Sequence, residues 1–298
     1  MVRPFIEVIV NAGSGSVLEG ETERSLRERF IAHGVPATVH LARSGDEIER
    51  FAREAAEGQA EVIVAGGGDG TISAVAAEVH KAGKILGVLP LGTLNNFSKD
   101  LEIPQTLGGA VKVIANGNVI AIDLAEVNGR IFINNSSIGL YPRIVRDRVK
   151  QQRLGRGKWN AALWAALRIF RISPFLKVKI KLDGKEFLRK TPFVFVGNNE
   201  YEMDLYNIGR RPKLDEGKLS VYFLHHGGRW GVILLLFHTL FGRLRQWKDF
   251  EEVNTDEVLI EMRKKLMTVA FDGEIGVLKT PLHYRIRPLA LKVIVPGK

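Results

Sequence analysis

Three short stretches combine glycine, small polar side chains and a single acid in a way that suits phosphate chemistry. They are Asn11-Ala12-Gly13-Ser14-Gly15, Gly66-Gly67-Gly68-Asp69-Gly70-Thr71 and Leu91-Gly92-Thr93-Leu94-Asn95. Glycines let backbone N–H groups come close to an anion, and a helix N-terminus adds partial positive charge. The second stretch runs from the apolar segment Val62-Ile63-Val64-Ala65 into a helical pattern near Thr71. That is the layout of a phosphate cradle. A plain strand-to-helix turn with no ligand is the alternative for a bare glycine run. Asp69 argues against it, because a carboxylate has no structural reason to sit in a cluster built for anions. It can bridge through a metal ion or take a proton from a hydroxyl. Thr93 and Asn95 add hydroxyl and amide groups.

The elements that position these stretches are strands and helices in alternation. Strand-like runs occur at Phe5–Val10, Ala37–Leu41, Val62–Ala65 and Ile85–Leu89. Ser44 and Glu47 form a capping-box pattern, and Ile48, Phe51, Ala52 and Ala55 recur on one helical face behind it. Gly83 stands where a helix starting near Thr71 should end. The alternation predicts a parallel α/β sheet, in which ligands bind at the carboxyl ends of the strands. All three glycine stretches fall at that edge. The sequence lacks G-x-x-x-x-G-K-[ST], and its glycines do not fit G-x-G-x-x-G, so neither an ordinary P-loop nor a dehydrogenase fingerprint is present.

After Asn116 the pattern becomes β-rich. Strands are predicted at Val119–Val127, Ile131–Asn134, Lys177–Leu182, Phe187–Phe195, Leu219–Leu224, Val258–Met262, Thr268–Phe271 and Ala290–Val295, with hairpin turns at Asn128-Gly129 and Asp183-Gly184. A sandwich or barrel is expected, interrupted by helices over 158–171 and 231–247. Asp272 and Glu274 follow a strand. On an extended backbone two acids two apart share a side, although Asp272-Gly273 is also a standard hairpin turn. His225 and His226 are adjacent on a strand end, so they point to opposite faces and do not share a metal.

Charge divides the chain as well. Residues 1–126 carry 11 Lys/Arg against 17 Asp/Glu, a balance of −6, while residues 127–298 carry 32 against 16, a balance of +16. The basic half predicts an anionic partner. Nine cations between Arg143 and Arg171 stand against one acid, Asp147, beside Trp159 and Trp164. Tryptophan next to arginine suits an anionic membrane surface, and no nucleic-acid motif accompanies the cluster. The longest apolar stretch, Gly231–Phe241, is too short to span a bilayer. The chain has no cysteine, and its start lacks the pattern of a signal peptide. A cytoplasmic protein in peripheral contact with the membrane is expected.

The three glycine stretches resemble those of the bacterial diacylglycerol kinase and lipid kinase family, which includes sphingosine and ceramide kinases. Gly67–Thr71 matches the family's nucleotide signature. Leu89–Phe97 with Lys99–Pro104 is similar to its second block, and Asn11–Gly15 to its first, with Ala12 where proline is usual. The likeness continues through Asp215–Leu219 and Phe271–Glu274, and so spans nearly the whole chain. It implies an α/β nucleotide-binding domain over 1–126, to which the segment 288–298 returns, and a β-rich lipid-substrate domain over 127–287, with the active site in the cleft between them. It implies transfer of the γ-phosphate of ATP, with Mg²⁺, to a hydroxyl of diacylglycerol or a similar membrane lipid, a step in phospholipid biosynthesis, and it allows a homodimer.

By this resemblance Asp272 and Glu274 are catalytic together with Asp69. Asn11, Gly66, Gly67, Gly68, Gly70, Thr71, Gly92, Thr93 and Asn95 join Asp69 at the nucleotide. Asp215 and Glu216 stand at a structural metal site that usually reads Asp-Asp-Gly. Leu41-Ala42 replaces a nucleotide-contacting threonine, and Glu200–Leu205 replaces a glycine-rich stretch, so substrate identity does not carry over. An NAD kinase shares the glycine signature. A nucleotide-binding sensor without catalysis is the third reading.

Overall fold

The computed structural model describes residues 5–13, 22–139, 142, 175–182, 184–202, 209–224 and 250–297. Ser14-Gly15, Asp183, Met203–Leu205, His225-His226, the basic cluster over 143–171 and both expected helices lie outside these residues. The chain divides into two compact units, Met1–Leu124 with Arg287–Lys298, and Ala125–Ile286.

In the first unit, β1 (Ile6–Asn11), β2 (Ala37–Ala42), β3 (Val62–Gly67) and β4 (Ile85–Pro90) form a parallel sheet in the order β2-β1-β3-β4. β3 is buried at every position, as a central strand covered on both faces requires. Helices α1 (Glu23–Ala32), α2 (Gly45–Glu57) and α3 (Asp69–Lys81) connect the strands. Thr22 closes a capping box with Ser25 at α1. At α2 the expected box is altered. The Ser44 hydroxyl accepts from Glu47 N, but the Glu47 carboxylate reaches one residue further back, to Arg43 N. Ile48, Ala52 and Ala55 are buried along α2, and Phe51 stacks on His40 with ring centroids 4.9 Å apart. Gly83 follows α3 at φ +66, where a side chain would strain the backbone. The short α4 (Asn96–Asp100) and α5 (Leu107–Asn116) lead out of the unit into β5 (Asn118–Val127).

The second unit is antiparallel. One sheet orders β12 (Phe250–Thr255), β11 (Leu219–Leu224), β10 (Phe193–Asn198), β7 (Asn135–Gly139), β14 (Leu266–Phe271) and β15 (Glu274–Lys279). Facing it, the first part of β16 (Leu282–Val295) pairs with β13 (Glu257–Met262), then β8 (Leu176–Leu182) and β9 (Lys185–Thr191). β6 (Arg130–Phe132) pairs with the end of β5 through the Asn128-Gly129 turn, at φ +49 and +80. Phe132, Ile138, Val178, Ile180, Val194, Val196, Val221, Phe223, Val269 and Tyr284 from both sheets build one core. This is the β-sandwich that the strand pattern predicts. The expected single strand Phe187–Phe195 is instead two, in different sheets. Pro192 has no N–H for a ladder, and the chain changes sheets there. The last strand runs much longer than Ala290–Val295. Its C-terminal part lies parallel to β4, with Lys292 opposite Ile85 and Val293 opposite Leu86.

Candidate functional site

The carboxyl ends of β1, β3 and β4 carry the three glycine stretches, and side chains tie them together. Asn11, the last residue of β1, donates through Nδ2 to the Thr71 hydroxyl at 3.3 Å, and its Oδ1 accepts from Gly13 N at 2.9 Å. Several of the glycines are fixed by packing between protein atoms. A Cβ on Gly67 would sit 2.6 Å from the Thr71 side chain, and one on Gly92 would lie 2.4 Å from the Gly68 Cα. Gly66 packs in the same way against Val10, at 2.9 Å. Two loops therefore meet backbone to backbone at Gly68 and Gly92.

Gly68 is the N-cap of α3 and brings no side-chain hydrogen bond to its first turn. First-turn N–H groups have no partner inside the helix, so a glycine cap leaves them to an outside acceptor. Asp69 opens that turn, where negative charge is favoured. Contrary to the sequence-based expectation, its carboxylate has a structural reason to be there: it reaches the second loop, accepting from Phe97 N at 3.0 Å and Asn96 N at 3.2 Å. Asn95 holds that loop from inside. It is buried in the left-handed region at φ +52, accepts from Gly92 N at 2.9 Å and donates to the Pro90 carbonyl at 3.2 Å. Thr93 is exposed at the loop tip.

In the second unit the acids sit differently from the extended arrangement expected. Asp272 and Gly273 have φ +46 and +87 and close a two-residue hairpin, with Phe271 paired to Glu274. The hairpin alternative holds for the backbone, and the two acids do not share an environment. Glu274 is 57% exposed, 3.6 Å from the Arg130 guanidinium. Asp272 is buried. Its Oδ1 accepts from Asn134 N at 2.8 Å and Asn135 N at 3.0 Å, and its Oδ2 from Ile133 N at 2.8 Å. Three successive backbone N–H groups thus fix one carboxylate.

The same segment is gripped from its carbonyl side by Arg211, which is only 1% exposed. Its guanidinium donates to the Ile133 carbonyl at 2.6 Å, the Asn198 carbonyl at 3.2 Å and Asn134 Oδ1 at 2.7 Å. The Asn198 amide donates to the Ile133 carbonyl at 2.9 Å. Asn199 accepts from Glu216 N at 3.2 Å and so links the acidic loop to this network. Nearby, Tyr222 accepts from Tyr201 N and donates to Glu252, and burial pushes its phenol well above the ordinary range, keeping it a neutral donor. Sequence reasoning missed Arg211, Asn134 and Asn198. In the run Gly209-Arg210-Arg211-Pro212, nothing distinguishes the buried arginine from a surface one.

Asp215 and Glu216 are both exposed, and Glu216 pairs with Lys213 at 3.4 Å. Among the described residues no three His, Cys, Asp or Glu side chains converge. Two exposed carboxylates fit a magnesium ion that keeps most of its water, and they do not fit an all-protein cage.

The chain thus joins a parallel sheet with polar glycine loops at its carboxyl edge to an antiparallel sandwich. Residues 6–127 match the profile of the diacylglycerol kinase catalytic domain. Residues 138–295, more than half of the 298-residue chain, match the YegS C-terminal NAD kinase beta sandwich-like domain, and the chain belongs to this family. It is 34% identical over 162 residues to "Probable lipid kinase YegS-like" of Klebsiella pneumoniae (strain 342), covering 52% of this chain and 54% of the relative. It is 38% identical over 149 residues to a protein of the same name from Yersinia enterocolitica, covering 48% and 49%. The chain spans about half the length of the curated relatives it matches. A solved diacylglycerol kinase from Bacillus anthracis str. Sterne shares the fold, with TM-score 0.70, 21% identity and coverage of 98% of this chain and 97% of that one.

Proposed function

We propose that the protein is an ATP-dependent lipid kinase that phosphorylates a hydroxyl of diacylglycerol or a similar membrane lipid. The observation that carries this reading is the joined pair of loops at the N-terminus of α3, with Asp69 between them, in a chain of the YegS and diacylglycerol kinase family. Asn11, Gly66–Thr71, Gly92, Thr93 and Asn95 form the loops assigned to the nucleotide. The N–H groups of the first turn of α3 hold phosphate oxygens, and Asp69 keeps the second loop against the first.

In the reaction the lipid hydroxyl oxygen bonds to the γ-phosphorus, the bond from phosphorus to the ADP oxygen breaks, and the hydroxyl proton passes to a carboxylate. Asp272 is one candidate for that carboxylate, its orientation fixed by three backbone N–H groups. Glu274 is the second candidate. Bound with ATP, Mg²⁺ would supply screening of the phosphate charge. Asp215 and Glu216 are the residues that would hold a further, structural ion. The basic balance of residues 127–298 suits peripheral attachment to an anionic membrane from the cytoplasmic side. No helix among the described residues is long and apolar enough to cross a membrane. The direct test is transfer of labelled γ-phosphate from ATP into an organic-extractable product. A lipid kinase gives label in the organic phase that depends on added lipid, and an inert organic phase rejects the reading.

A further inference from the structure

The outer face of the β13-β8-β9 sheet holds an arrangement of charge that folding alone does not favour. Its antiparallel register sets Lys177 opposite Lys190 and Lys179 opposite Leu188 on β9, and Lys179 opposite Glu261 on β13. Just past the end of β13, Arg263 lines the same groove as Lys177 and Lys190. The face therefore has the cross-strand pair Lys177 and Lys190 with Arg263 at its end, followed by a row of Glu261, Lys179 and Leu188. In that row and beyond it the charges are matched: Lys179 meets Glu186 at 2.7 Å and Lys181 meets Glu261 at 2.7 Å. Lys177, Lys190 and Arg263 have no acidic partner among the described residues. Lys190 makes only a cation–π contact, with its Nζ 5.5 Å from the Phe175 ring centroid. Like charges directly opposite on a sheet destabilise it. All three are exposed, and they line a shallow groove of ≈ 550 Å³. Leu188 projects at its rim, 77% exposed, the most exposed large apolar side chain among the described residues.

We infer that this face docks on an anionic phospholipid surface, with Arg263, Lys177 and Lys190 against head-group phosphates and Leu188 inserted between acyl chains. The face includes none of the acids and loops assigned above, and none of the basic cluster of residues 143–171. A membrane fits the face better than a nucleic acid does. The leucine gains only where it leaves water for an apolar phase, and the one ring beside the lysines, Phe175, is already in contact with the Lys190 ammonium. The inference rests on the lipid-substrate reading only for its purpose, since an enzyme acting on a membrane lipid has to reach the bilayer. Binding itself needs no turnover.

The test is co-sedimentation of the full chain, without ATP, with phosphatidylcholine vesicles and with mixed phosphatidylcholine and phosphatidylglycerol vesicles. The wild type is expected to prefer the anionic vesicles. Each basic residue near such a surface is worth about 1 kcal/mol, so Lys177→Gln with Lys190→Gln should weaken partition roughly 30-fold. Leu188→Ser should weaken it by a part that added salt does not change, whereas the lysine part fades with salt. Lys112→Gln, exposed on α5, is the control and should bind as wild type. Removing like charges should also leave the double variant's melting temperature equal to or slightly above wild type, which separates lost docking from lost folding. Equal binding to both vesicle types, or a double variant that binds as wild type, overturns the inference. Competition by RNA that strips the wild type from anionic vesicles at equal phosphate concentration overturns it in favour of a nucleic-acid face. Failure of the kinase assay with docking intact rejects the function and leaves the surface standing.

Discussion

Replacing Asp272 with asparagine separates a positioned carboxylate from an ordinary surface acid. The wild-type oxygens take three backbone N–H groups, two on Oδ1 and one on Oδ2. An asparagine oxygen can keep the pair from Asn134 and Asn135, but its NH₂ then faces Ile133 N–H, donor against donor. Ile133 is fully buried, so water does not repair the loss. One charge-assisted bond disappears, the other two lose their charge, and a buried donor is left unmatched. Together these cost about 2–4 kcal/mol. For a unit of this size each kcal/mol moves the melting temperature by about 2–4 °C, so a fall of roughly 5–15 °C is expected. Glu274→Gln is the contrast, because that side chain is exposed and its pairing with Arg130 is long, so its melting temperature should match wild type. Calorimetry beside a turnover assay reads both effects. An Asp272→Asn protein that melts within about 1 °C of wild type would refute the structural reasoning, whatever its activity.

Asp69→Asn should abolish phosphoryl transfer while the protein stays folded, and circular dichroism with a radiolabel assay checks both halves. Gly92→Ala places a Cβ 2.4 Å from the Gly68 Cα, so it should lower stability by about 1–3 kcal/mol and weaken ATP affinity, measured by melting and nucleotide titration. Arg211→Met strips donors from three buried acceptors, the Ile133 and Asn198 carbonyls and Asn134 Oδ1, and should cost about 2–4 kcal/mol on denaturant unfolding. His283 beside Glu257 holds that carboxyl below the usual carboxylate range, with Arg285 contributing. A depressed acid stabilises above its unfolded pKa and loses that contribution as pH falls through the folded one. Glu257→Gln should therefore flatten the acid limb of a melting-temperature profile slightly, read by calorimetry across the acid range.

The parallel sheet and the sandwich are legible in the sequence because periodicity and turn chemistry are local. The buried run Val62–Ala65 into a glycine turn, and Asn128-Gly129 between apolar runs, each specify their own geometry. Pro192 is also legible, as a break within Phe187–Phe195, and reading through it merges two strands of different sheets. The reason for the glycines is not legible. Gly92 is required by Gly68, across a loop contact that spacing does not encode. Asp272-Gly273 is legible as a hairpin turn, and the structure has that turn, but the three N–H groups that hold the Asp272 carboxylate come from Ile133–Asn135, far off in sequence. Arg211 gives no signal, since a buried arginine is defined by the carbonyls around it, and one of these comes from Ile133, far off in sequence.

The central claim is that this chain moves phosphate from ATP to a lipid hydroxyl and that the reaction requires Asp69. The most direct measurement incubates the purified protein with γ-labelled ATP, Mg²⁺ and either mixed-micelle diacylglycerol or NAD, then separates organic from aqueous products. The account predicts label in an organic-extractable phospholipid, dependent on added lipid and lost in Asp69→Asn. Label appearing as NADP, or transfer to lipid that survives in Asp69→Asn, would contradict it.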